Sequence, residues 1–84
     1  MLMTYIEELM TVLAEECAEV IQETCKIRRF GLDGTNLQSL AKELGDLQCM
    51  IEMCHDADLC SYSEIEEYVQ AKREKLKVYS ENLK

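Results

Sequence analysis

The sequence predicts an all-α fold, and three observations carry that prediction. Proline is absent and glycine occurs only three times in 84 residues, so little interrupts a helix. Apolar residues recur at three- and four-residue steps through successive stretches. Aromatic residues make up only 6% of the chain, with one Phe and no Trp, while 48% is hydrophobic. A three-helix chain spanning residues 1–84 as a single domain accounts for all three.

The first helix is expected from about Thr4 to Arg29, with Ile6, Leu9, Met10, Leu13, Cys17, Val20, Ile21, Thr24 and Ile27 as its apolar stripe. Gly31 stops it, Asp33-Gly34 makes a turn, and Arg28 and Arg29 complement its dipole. A second helix, capped by Thr35 or Asn36, carries Leu37, Leu40, Ala41, Leu44, Leu47, Ile51 and Cys54 and fades near Asp56. A third starts within Ser61-Tyr62-Ser63-Glu64, with Ser63 and Glu66 as a capping box, and continues through Ile65, Val69, Leu76 and Leu83. It is polar over most of its surface. So short a chain buries a modest core, which makes self-association the expected remedy: helices 1 and 2 of two copies would complete a four-helix bundle.

Seventeen acids against nine bases give a net charge of -8. Such a surface repels nucleic acid polymers, and no basic stripe offsets it. The N-terminus carries Glu7 and Glu8 where a signal peptide needs bases, and no apolar run approaches membrane-spanning length. Five cysteines, an odd number without zinc spacing, fit free thiols at apolar helical positions and a cytoplasmic setting.

The chemistry concentrates in two acidic clusters, Glu15-Glu16-Cys17-Ala18-Glu19 and Glu43-Leu44-Gly45-Asp46. Residues three or four apart share a helix face, so Glu16, Glu19 and Glu23 form a row that continues to Lys26 and Phe30. Glu43 and Asp46 share a face on the next helix, while Glu15 points toward solvent. Antiparallel packing through the two stripes would bring these edges together. Crowded carboxylates repel one another and lose hydration, and a hard divalent cation with oxygen ligands relieves both. Lys26 and Arg29 beyond the carboxylates, with Lys75 among the lysines of the third helix, are candidates to neutralise phosphate charge. Each has a structural alternative, Lys26 and Arg29 as dipole partners and the lysines as i,i+4 ion pairs. Glu52 and His55 have the Glu-x-x-His spacing of carboxylate-bridged iron proteins, a competing reading in a chain with one His. A non-catalytic helical interaction or nucleotide-binding module is the other rival.

Glu15-Glu16-x-x-Glu19, a gap of 23 residues and Glu43-x-x-Asp46 resemble the EExxE…ExxD signature of the MazG-like all-α NTP pyrophosphohydrolases. The flanking Leu13-Ala14, Val20, Lys42 and Leu47-Gln48 match as well, and Lys26 followed by Arg29-Phe30-Gly31 is similar to the short, phage-type members. The resemblance covers roughly residues 7 to 55. It implies hydrolysis of a (deoxy)nucleoside triphosphate to the monophosphate and pyrophosphate, with Mg2+ as cofactor and Mn2+ as a substitute. It also implies Glu16, Glu19, Glu43 and Asp46 as metal ligands, Glu15 as a further catalytic position, and a homo-oligomer, dimer or tetramer, in the cytoplasm of a cell or of a phage's host. Lys26, Arg29, Phe30 and Lys75 are the substrate-binding candidates. Larger relatives stack the base on a tryptophan, which this chain lacks; that leaves Phe30, Tyr5, Tyr62 or a neighbouring subunit's side chain for the role, and base and sugar stay open.

Overall fold

The computed structural model describes residues 3–84 as three α-helices in the order α1 (Tyr5–Phe30), α2 (Gly34–Asp56) and α3 (Tyr62–Tyr79). The part of the N-terminal expectation that concerns Met1 and Leu2 lies outside the described residues. The chain divides into two compact units, Met1–Cys54 and His55–Lys84.

In the first unit α1 and α2 pack against each other. Thr4 caps α1 with a full capping box: its hydroxyl accepts from the Glu7 backbone N–H, and the Glu7 carboxylate accepts from the Thr4 N–H, both at 3.1 Å. Gly31 ends the helix as its sequence suggests, at a φ of 88° that residues with a Cβ rarely adopt. The start of α2 is where the structure differs from expectation. Asp33, not Thr35 or Asn36, receives the first orphan donor, its Oδ1 accepting from the Asn36 N–H at 2.8 Å. Asn36 instead turns its amide to the Gly31 carbonyl at 2.9 Å, tying the two helix ends together across a three-residue link.

The seam between α1 and α2 is narrower than the predicted stripes. Its α1 side carries Leu9, Val12, Leu13, Glu16, Val20, Glu23 and Ile27, all buried or half-buried. On α2 the corresponding positions are Leu40, Glu43, Leu47, Met50 and Cys54. Among the described residues the buried apolar side chains are Leu9, Met50 and Cys54. At about 100° per residue, Ile6, Met10, Cys17 and Ile21 lie roughly a quarter-turn off this seam, and all four are exposed. Leu37 and Leu44 are exposed in the same way on α2. Because the helices run antiparallel, these two flanks fall on one face of the hairpin. The cysteine expectation therefore needs correcting: Cys54 is buried, but Cys17, Cys25 and Cys49 sit on exposed positions.

In the second unit, Ser61 and Glu64 form the capping box of α3, so the expected Ser63–Glu66 pair is displaced by one that fits the same S-x-x-E pattern two residues earlier. His55 stacks on Tyr62 with ring centroids 3.8 Å apart, and its Nδ1 accepts from the Tyr62 backbone N–H at 3.2 Å. Asp58, at φ 60°, makes the left-handed turn between the helices, a conformation Asp tolerates better than most side chains. Exposed pairs such as Lys77–Glu74 at 2.9 Å support α3 locally. No described helix is long and apolar enough to cross a membrane.

Candidate metal centre

Glu16, Glu19, Glu43 and Asp46 converge, each offering a carboxylate oxygen within 4.8 Å of the others. Two elements do this. The i,i+3 spacing of Glu16 and Glu19 on α1, and of Glu43 and Asp46 on α2, points each pair to one face, and antiparallel packing sets the pairs opposite each other. The burial within the group is graded. Glu43 keeps only 9% of its surface exposed, Glu16 and Asp46 are half-buried, and Glu19 is exposed. Glu16 and Glu43 thus sit in the packed seam itself, while Glu19 and Asp46 lie at its edge.

The electrostatics are those of a site short of positive charge. One oxygen of Glu16 and one of Glu43 are buried without a hydrogen-bond partner, a state that costs free energy in a folded protein. The Glu19 carboxyl is pushed above its usual range, first by a hydrogen bond with Glu43, then by the charges of Glu43 and Glu16, with Lys42 opposing. Lys42, which the sequence marks only as a flank of the second acidic motif, is the cation that the described residues bring close by. Its ammonium lies 2.7 Å from Asp46 and 3.4 Å from Glu43, and both contacts raise its pKa. Its i,i+4 spacing to Asp46 was the available signal. Lys42 does not reach the orphaned oxygens, and its own side chain stays two-thirds exposed.

Oxygen donors alone, in this number and this close, suit a hard divalent cation and do not suit zinc or copper. A cation among them would satisfy the two buried oxygens that lack partners. The four residues therefore fit a metal ion.

The remaining candidates are distributed more widely. Glu15 is exposed beside the cluster. Glu23 is buried in the seam two turns beyond Glu16, one oxygen paired with Lys26 at 3.1 Å and the other without a partner. Lys26 is thus committed to Glu23 and lies about 10 Å along α1 from Glu19. The Arg29 guanidinium stands 5.7 Å from the centroid of the exposed Phe30 ring, a cation–π arrangement. Lys75 is exposed on α3. Glu52 is exposed and His55 is occupied by its stacking and its α3 contact, so this pair is not drawn into a carboxylate group. No family model, characterised protein or solved structure matches the chain.

Proposed function

We propose that this protein is a Mg2+-dependent nucleoside triphosphate pyrophosphohydrolase. The observation that carries the reading is the convergence of Glu16, Glu19, Glu43 and Asp46, with one buried oxygen on each of Glu16 and Glu43 lacking a hydrogen-bond partner. The motif resemblance to MazG-like enzymes supplies the reaction. In it Glu16 and Glu43, held by the seam, are the fixed ligands, and the more exposed Glu19 and Asp46 close the set. Those four carboxylates would hold Mg2+, or Mn2+ in its place, and the ion would supply Lewis-acid activation of a water and neutralisation of phosphate charge. Glu15 or Glu23 orients the water for in-line attack on the α-phosphorus. Lys42, paired with Asp46 at the edge of the group, is placed to offer its ammonium to a phosphate oxygen; Lys26, Arg29 and Lys75 remain further candidates for that role.

Glu19→Gln and Asp46→Asn are each expected to lower pyrophosphate release by roughly a hundredfold or more while helical content is unchanged. Separate assays for pyrophosphate and orthophosphate check it. Orthophosphate as the first product would reject the bond assignment, full activity in both variants would reject the carboxylate site, and a wild type without hydrolysis would leave a helical interaction module as the better reading.

The active form is a homo-oligomer joined through the exposed flank of Ile6, Met10, Cys17, Ile21, Leu37 and Leu44. A thin monomer core and an apolar face on the side away from Glu19 and Asp46 support this. Ile21 is 62% exposed, so Ile21→Asp should convert a dimer or tetramer to monomer in sedimentation without unfolding it. A wild-type chain that sediments as monomer would reject this assembly.

A further inference from the structure

One cavity of about 280 Å3 opens in the same hairpin, lined by Tyr5, Glu8, Leu9, Val12, Met50 and Met53. We infer that it seats a nucleobase, and that the Glu8 carboxylate makes it favour bases bearing an exocyclic amino group over uracil and thymine. The inference rests on the nucleotide reading of the carboxylate centre.

Position comes first. Val12 precedes Glu16 by one turn and Met50 follows Asp46 by one turn, about 6 Å along each axis. At about 100° per residue, Glu8, Val12 and Glu19 lie within roughly 40° of one another around α1, and Asp46 and Met53 within about 20° around α2. Cavity and carboxylates therefore open on the same side of the hairpin, opposite the apolar flank. The near edge of the cavity is thus one turn from the carboxylates, and Glu8, eight residues before Glu16, is about 12 Å along the axis, a span that a nucleotide covers from its phosphates to its base.

Size and chemistry agree. The volume is at the low end for small-molecule cavities, enough for a planar base but not for a whole nucleotide. Aliphatic and thioether side chains form its walls, and methionine sulfur packs well against aromatic rings. Tyr5, more than half exposed, offers a ring at the mouth. The polar group is Glu8, exposed in the first turn of α1. An ionised carboxylate only accepts hydrogen bonds. Cytosine and adenine present an amino donor to it and guanine presents two adjacent N–H donors. Uracil and thymine present an N–H flanked by two carbonyls, whose lone pairs the carboxylate repels.

The test needs neither metal nor triphosphate. Deoxycytidine, deoxyadenosine and deoxyuridine are titrated into protein carrying 13C at the methionine methyls. The methyl signals of Met50 and Met53 should move while Met10, on the opposite flank, stays in place. Deoxyuridine should bind roughly tenfold more weakly than deoxycytidine, the scale of a charge-assisted hydrogen bond. Glu8→Gln, whose amide can also donate, should bring the two pyrimidines level. No movement at Met50 and Met53, or equal affinity for both pyrimidines in the wild type, overturns the base seat. Because pyrophosphate release is measured separately, an enzyme that hydrolyses triphosphates yet fails this titration loses only the seat, and one that passes without hydrolysis loses only the reaction.

Discussion

Two stretches of the α1–α2 seam, a few turns apart, are built on opposite principles. At one end Leu9, Met50 and Cys54 bury apolar surface and hold the helices together. In the middle Glu16, Glu43 and, further on, Glu23 occupy equivalent inward positions with carboxylates. The apolar end stabilises the hairpin in any solution. The acidic middle opposes folding, since like charges repel and buried oxygens lack partners. A sequence selected for stability alone would not break its binary pattern at the centre of so small a core, and functional or strained sites are where such breaks are expected.

The largest effect should come from attacking the apolar end. Leu9 is only 3% exposed, and Leu9→Ala removes one of few core side chains, which costs about 2–4 kcal/mol. In a chain of this length that is a large share of the total stability, and denaturant titration would show it as a lower midpoint. A loss under about 1 kcal/mol would mean that the Leu9 end does not anchor the seam.

The acidic middle predicts the reverse sign. Without metal, Glu43→Gln removes a charge facing Glu16 and Glu19 and leaves the Lys42–Asp46 contact in place, so stability should rise by about 1 kcal/mol. That corresponds to several degrees in Tm for a domain of this size. Millimolar Mg2+ should then invert the order, because binding to the folded state stabilises the wild type and not the variant. If Glu43→Gln is destabilising in both conditions, the carboxylate is structural and the contrast between the two stretches fails.

The same contrast explains what the sequence could tell. Helix ends were legible wherever one chemical signal dominated, as at Thr4 with Glu7 and at Gly31. They were ambiguous where a pattern occurs twice: Ser61-x-x-Glu64 and Ser63-x-x-Glu66 are equivalent on paper, and only the chain's turn after Asp58 chooses the first. The four carboxylates were legible because i,i+3 spacing fixes a face regardless of what packs there. Their depth was not. An amphipathic stripe is broader than the seam it supplies, so spacing on one helix cannot separate the part that meets the partner helix, with Glu16 and Glu43, from the flank that carries Cys17 and Ile21. The contacts of Lys42 and Glu8 were not legible, because an acidic or basic residue on a helix surface is ordinarily just solvated, and their surroundings come from the opposite helix or from the next turn.

The smallest effect is one of pH, and it isolates Glu19. Its carboxyl sits above the ordinary 4.5 because of Glu43 and Glu16, and Lys42 only partly offsets them. The folded state thus holds this proton more tightly than the unfolded chain does. Its contribution is fully present below the unfolded value and is lost as pH rises through the folded one. Metal-free stability of the wild type minus that of Glu19→Gln should therefore decline as pH increases from about 4 toward neutrality. Over that window Mg2+ affinity should climb, since the cation must displace the same proton. The two curves are a single titration seen from opposite sides. If the stability difference is flat while Mg2+ affinity still climbs, another carboxylate of the group carries the proton and Glu19 is not the residue that closes the site.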